Sequence, residues 1–327
     1  MSAAMITNNP ADFGNVGLLV GGDSAEREVS LDGGRAVLSA LQRKNIASES
    51  FDGSPALFTA INDDRINRVF NLMHGPGGED GAIQGALQLL GIPVTGAGLL
   101  GSALSMDKVR SKWVWERQGI NTPPFALVGP GDRLGDQTGD QLGDQLGVQL
   151  DEEFVEKWGT PLFVKPAGLG SSIGISKVEH IDDIPAAIAL ARQYSKTVIV
   201  EPEIKGNEYF AGIIGDLVLP LIHIETPRAF YDYTAKYESD DTEYFCPCGL
   251  PADVEKEMQA RSMEAFKALD CSGWGRVDFI TDEDGKAWFL EANTVPGMTN
   301  HSLVPQAAAE IGIGFDELVW RILESSL

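Results

Sequence analysis

FVKPAGLGSSIGIS, residues 163–176, is the stretch whose reading decides the fold. An apolar run ends in Lys165, and glycines and serines follow at once. Gly168, Gly170, Ser171, Ser172 and Gly174 let backbone N–H groups close on an anion. The lysine comes before the glycines. In a P-loop it closes them, and in a dinucleotide fingerprint G-x-G-x-x-G follows a first strand. The stretch reads as a strand that ends in a fixed lysine, followed by a glycine-rich loop whose backbone can approach an anion. A surface loop is the plainer alternative.

Upstream, VGLLV (16–20) is a continuous apolar run ended by Gly21-Gly22, which reads as a buried parallel strand. A helix follows from about Glu28 to Leu41. RVFNLM (68–73) is a second strand, ended by His74-Gly75-Pro76-Gly77-Gly78. GAIQGALQLLG then has helical periodicity, stopped by Gly91 and Pro93. Strands alternating with helices imply an α/β domain with a parallel sheet, which binds ligands at the carboxyl ends of its strands. Both glycine turns lie at such ends.

MDKVRSKWVWERQG (106–119) reads as a helix stopped by Gly119. GDRLGDQTGDQLGDQLGVQL (131–150) repeats a four-residue motif five times, the last copy degenerate. Glycine at every fourth position costs a helix about 1 kcal/mol each, so this reads as an acidic low-complexity surface insertion without chemistry. Beyond it, EEFVEKWG is helical and TVIVEPEI (197–204) is another strand.

RVDFI and AWFLEAN, separated by the turn Asp282-Glu283-Asp284-Gly285, read as a hairpin. With a period of two, Arg276 and Asp278 share one face, and so do Glu291 and Asn293. A four-residue turn pairs Thr281 with Lys286 and sets Arg276 opposite Glu291. Oxygen ligands from Asp, Glu and Asn suit Mg²⁺. A surface salt-bridge ladder is the alternative. Apolar Trp288 and Leu290 argue against it, because they imply that the other face is buried.

The chain has 327 residues, enough for two or three domains. Its net charge of −23 argues against nucleic acid and anionic membranes as partners. Cys246, Cys248 and Cys271 form no disulfide framework or metal spacing, so they read as reduced thiols. No apolar run is long enough to span a membrane, and the N-terminus lacks the features of a signal peptide. The chain is expected to be soluble and cytoplasmic.

VKPAGLGSSIG, the strand end Glu201-Pro202, RVDF and EANTVPGMT together resemble the ATP-grasp fold. GGDSAEREVSLDGG (21–34), HGPGGEDGAIQG (74–85), GAGLLGSALSMDK (96–108), FYDYTAKY (230–237) and EANTVPGMTNHSLVP (291–305) narrow the resemblance to the D-alanine–D-alanine ligase family. It covers nearly the whole chain outside the extreme N-terminus and the repeat.

The resemblance implies an α/β protein of three parts. These are a Rossmann-like parallel-sheet domain (1–107), a small central α+β domain (108–205) with the 131–150 insertion, and a C-terminal α+β domain (206–327). It implies a homodimer that joins two D-alanines with ATP through a D-alanyl phosphate, for the bacterial wall. Asp278, Glu291 and Asn293 would hold two Mg²⁺ ions, with Mn²⁺ able to substitute. Lys108, Lys165, Ser172 and Lys236 would meet the phosphates, Glu201 to Ile204 the adenine, and Glu208 the ribose. Glu26 would hold the first ammonium, with His74 at the mouth of the same site. Arg276 and the Gly297 N–H would stabilise the oxyanion, and Ser302 and Leu303 would receive the second carboxylate. Glu26, Ser171 and Tyr237 would link the domains, and residues 231–245 would form a lid.

Pro202 and Glu203 depart from the lysine and aromatic residue common at the adenine edge, and Ala167-Gly168-Leu169 from bulkier polar residues. Tyr237 favours the dipeptide over D-alanyl-D-lactate. Another ATP-grasp carboxylate–amine ligase is the nearest alternative, and a non-catalytic nucleotide sensor a more distant one.

Overall fold

The structure is a computed structural model, and it describes residues 7–129, 148–150, 152–170, 172–228, 230–231, 241–299 and 301–327. Three sheets succeed one another along the chain. The first is parallel, with strands β1 (Val16–Val20), β2 (Ser48–Asp52) and β3 (Arg68–Asn71) in the order β2-β1-β3. Every residue of β1 is buried, as expected of a central parallel strand covered on both faces. The helix after it runs Arg27–Arg43, slightly longer than its periodicity predicts. Between them Gly21 adopts φ +72°, and a Cβ there would meet Asp52 Oδ1 at 2.1 Å. Glycine therefore allows the tight turn and the close approach of the Arg27–Asp52 pair (2.5 Å). β3 ends at Asn71 rather than residue 73, because the Asn71 side chain accepts the N–H of Met73.

The second sheet has the order β5-β4-β8-β6-β7, formed by β4 (Ala126–Val128), β5 (Val148–Gln149), β6 (Leu162–Pro166), β7 (Ser176–Val178) and β8 (Val198–Pro202). The expected insertion is corrected at its end: Val148–Gln149 pairs with β4, and Leu150 is buried. The rest of the repeat lies outside the described residues. The expected helix from Met106 is also divided. Leu99–Met106 is one helix, and Lys108–Arg117 begins anew because the Asp107 side chain caps it at the Arg110 N–H.

The third sheet is antiparallel. It comprises β9 (Gly206–Ile214), β10 (Leu217–Val218), β11 (Ile222–Glu225), β12 (Glu243–Phe245), β13 (Trp274–Asp282) and β14 (Ala287–Asn293). Its main order is β12-β11-β9-β13-β14, with β10 on β9.

The hairpin register differs from the expectation. Asp282 N–H bonds Lys286 C=O, so three residues make the turn, and the Asp282 carboxylate accepts the N–H groups of Asp284 and Lys286. A bulge follows at Leu290, since Asp278 pairs with Glu291 but Phe279 with Phe289. Each one-residue slip would turn the carboxylates to the opposite face. The two slips add, so Arg276, Asp278, Glu291 and Asn293 still share a face, with Arg276 opposite Asn293 rather than Glu291. The buried face beneath them is Ala287, Phe289 and Ala292, whereas Trp288 and Leu290 are only half-buried.

One apolar cluster joins the ends of the chain. Val37 and Leu41 of the first long helix pack with Leu318, Ile322 and Leu323 of the last (Phe315–Glu324). The two cysteines near 246 and Cys271 are free thiols, as expected. No helix among the described residues is long and apolar enough to cross a membrane.

Candidate active site

Two cavities lie along the third sheet, of about 760 Å³ and 510 Å³. Lys108, Tyr231 and Glu291 line both, so a single wall separates them. At that wall the Lys108 ammonium lies 3.0 Å from Glu291 and donates to the Leu169 carbonyl at 2.9 Å. Lys108 opens its helix, so the Asp107 cap fixes where its side chain begins.

The first cavity gathers Glu26, His74, Arg276, Asn293, Gly297, Ser302 and Leu303. Glu26 is the N-cap residue of Arg27–Arg43, directly after the glycine turn of β1. His74 is buried beside Glu79 at 3.8 Å, and Glu79 accepts the Gly75 N–H at 2.6 Å. Burial works against a charged imidazole, but Glu79, Glu26 and the Val295 backbone outweigh it and hold the His74 pKa above its ordinary value. Ser302 Oγ accepts the Thr299 N–H at 2.9 Å, and Ser302 lies so close to Gly297 that a Cβ there would come within 2.8 Å of Oγ.

Arg276 is forked onto Asp278 by two bonds of 2.7 Å and lies 5.1 Å from the Phe210 ring centroid. Burial opposes its charge, but Asp278 and then Glu291 more than offset this and push its pKa up. Asn293 accepts the Val295 N–H at 3.0 Å.

The second cavity gathers Lys165, Ser172, Glu201, Ile204, Glu208 and Asp278. Lys165 is the penultimate residue of β6, which runs one residue past it to Pro166, and it contacts Glu201 at 2.5 Å. Phe163 and Phe230 stack edge to face at 5.5 Å on the same cavity wall. Glu203 is paired with Lys177 at 2.8 Å. Ser171, Lys236 and Tyr237 lie outside the described residues, as does most of the expected lid, so the Glu26–Ser171–Tyr237 link is not described.

Asp278, Glu291 and Asn293 offer only oxygen donors, and cationic Arg276 and Lys108 rest against the two carboxylates. Such a hard-donor set with compensating cations fits Mg²⁺. The shared wall is where a phosphoryl group from one cavity would meet a carboxylate from the other.

Residues 114–324 match the family described as "D-ala D-ala ligase C-terminus". The D-alanine–D-alanine ligase of Burkholderia cenocepacia (strain HI2424) is 49% identical over 320 residues, covering 98% of each chain. The chain belongs to the D-alanine–D-alanine ligase family. Among solved structures, the Bacillus anthracis D-alanine–D-alanine ligase complexed with ATP matches with a TM-score of 0.78 at 29% identity, covering 95% of this chain and 97% of that one. The VanG D-Ala:D-Ser ligase from Enterococcus faecalis matches with a TM-score of 0.78 at 29% identity, covering 96% and 99%. The ATP-grasp fold expected from the sequence is thus that of the family.

Three residues in or behind this ligase site escape a linear reading. Glu79 sits in a glycine turn where an acid is unremarkable. Tyr231 is buried with its hydroxyl 3.1 Å from Tyr244, yet the sequence places it in an exposed lid. Lys112 is one helical turn beyond Lys108, where a lysine is ordinarily solvated.

Proposed function

We propose that the chain joins two D-alanines into D-alanyl-D-alanine at the expense of ATP, within the cytoplasm, for assembly of the bacterial wall. The observation that carries this reading is the wall shared by two cavities at Lys108 and Glu291. ATP occupies the cavity of Lys165, Ser172, Glu201, Ile204 and Glu208. The two amino acids occupy the cavity of Glu26, His74, Arg276, Gly297, Ser302 and Leu303.

A carboxylate oxygen of the first D-alanine attacks the γ-phosphorus, and ADP leaves. The second amine, having lost a proton, attacks the acyl carbonyl, and inorganic phosphate leaves. Lys108 and Lys165 offset the repulsion between carboxylate and triphosphate. Glu26 pairs with the first ammonium. Arg276 and the Gly297 N–H face the oxyanion, and Ser302 and Leu303 the second carboxylate. Asp278, Glu291 and Asn293 would hold Mg²⁺, which supplies charge neutralisation between the phosphates. By resemblance to the family, Lys236 would meet the phosphates, and Ser171 and Tyr237 would link to Glu26; all three lie outside the described residues.

The three-part division at 107/108 and 205/206 assigns one parallel and two mainly antiparallel sheets to separate parts. We further propose a homodimer, supported by exposed Leu89, Leu90, Leu99 and Leu100 on neighbouring helices. Phosphate release from Mg-ATP with D-alanine, compared with L-alanine, D-serine and D-lactate, tests the assignment. Release that does not depend on D-alanine sinks it.

A further inference from the structure

We propose that Lys112, which lines neither cavity, is a positioning residue for the nucleotide. It shares the Glu201 carboxylate with Lys165, so that the three groups together present one net positive charge to the phosphates. The inference rests on the reading that the second cavity takes ATP.

Lys112 is 1% exposed. Its ammonium lies 2.5 Å from Glu201 Oε1 and donates to Thr122 Oγ1 at 2.7 Å and to the Pro123 carbonyl at 3.2 Å. Glu201 Oε2 lies 2.5 Å from Lys165, which does face the cavity. The contact at Oε1 is a buried ion pair. Two ammoniums on one carboxylate leave a net charge of one positive.

Without Lys112, Glu201 and Lys165 would form a neutral pair, and the carboxylate would hold Lys165 away from the phosphates. A buried lysine is costly, and a hydrophobic residue would fill the same space more cheaply. The scaffold around Lys112 is also well tied. Thr122 Oγ1 donates onward to the Phe289 carbonyl at 2.8 Å, and Phe289 N–H bonds Asn121 C=O at 2.9 Å. Those bonds join the loop that follows the helix Lys108–Arg117 to the metal-site hairpin, and neither of them uses Lys112.

Burial pulls the Lys112 pKa down to about 8, with Glu201 opposing that shift and Lys165 adding to it. Among the described residues, the charged groups that act on it most strongly are Glu201 on β8, Lys165 on β6 and Glu116 on its own helix.

The test measures binding of a non-hydrolysable ATP analogue with Mg²⁺ by calorimetry, on the full chain. Lys112→Met should weaken binding about tenfold or more, the effect of one unit charge beside the phosphates. The KM for D-alanine should be unchanged. The conservative variant Lys112→Arg keeps the charge and should hold affinity to within about threefold of wild type. Undiminished binding by Lys112→Met overturns the inference. So does a loss of the same size in Lys112→Arg, which would mark a structural role only.

Should the single variant not fold, the wild-type chain decides. Its affinity should fall as pH rises through about 8, and a flat profile from about pH 7 to 9.5 overturns the proposal. A wild-type chain that binds no nucleotide sinks the functional reading and this inference together. A chain that binds it equally well with or without Lys112 sinks this inference alone.

Discussion

Asp278 and Glu201 are both buried carboxylates on the wall of the nucleotide cavity, and they are partnered differently. Asp278 takes both bonds of one guanidinium, which makes a neutral fork between neighbouring positions of one strand. Glu201 takes two ammoniums from a helix and a strand of the second sheet. The fork holds Arg276 in place without adding charge, so the hairpin stays able to accept a cation. The triad carries one excess positive charge toward the phosphates. Partner count, more than burial, decides what each carboxylate presents to a ligand.

The largest effect should come from breaking the fork. Arg276→Met takes both bonds of the fork from buried Asp278, which should cost about 3–5 kcal/mol of stability. Urea unfolding checks this, and a change below about 1 kcal/mol would show that Asp278 finds another partner. Turnover should also fall about 10²–10³-fold, the usual loss for one oxyanion donor.

Next is Glu291→Gln, which keeps the shape of the hairpin and removes one charge. We expect phosphate release to drop by about 10²–10³-fold with the melting temperature within a few degrees of wild type. Unchanged turnover would remove Glu291 from the metal site.

The triad has its own signature in acid. Burial alone would raise the Glu201 pKa, but Lys112 and Lys165 bring it down to about 2 from an ordinary 4.5. A depressed carboxylate adds stability above its unfolded value, and that stability is lost as pH falls from about 4.5 through about 2. Comparing wild type with Glu201→Gln over that range should show a difference of about 2–4 kcal/mol that shrinks as pH drops. Parallel curves would deny the triad its stabilising role.

The smallest effect sharpens the first. Arg43 and Asp316 make the same bidentate contact as Arg276 and Asp278, but with side chains 56% and 34% exposed. Arg43→Met should cost less than about 1 kcal/mol. If it cost as much as Arg276→Met, burial would not be what separates the two forks.

Much of this site was legible in the chain. The spacing of Arg276, Asp278, Glu291 and Asn293 placed them on one face, because period two survives any even register shift. Lys165 read as a strand end because LFVKP is apolar up to the lysine. The turn length and the bulge at Leu290 were not legible. Asp282 closes the turn through its own side chain, and the bulge adds a second one-residue slip between Asp278 and Phe279.

By itself, then, the sequence determined which segments become strands, which glycines make the turns at their ends, and which residue types meet phosphate and carboxylate. Those are local matters, set by side-chain period and backbone freedom. Tertiary structure alone decided that Lys112 is buried against Glu201, that His74 shares a pocket with Glu79, and that Lys108 meets Glu291 between two cavities. A charged residue's environment depends on which remote surface covers it. Lys112 and Glu201 are far apart in sequence, and only the packing of the helix Lys108–Arg117 against β8 brings them within 2.5 Å.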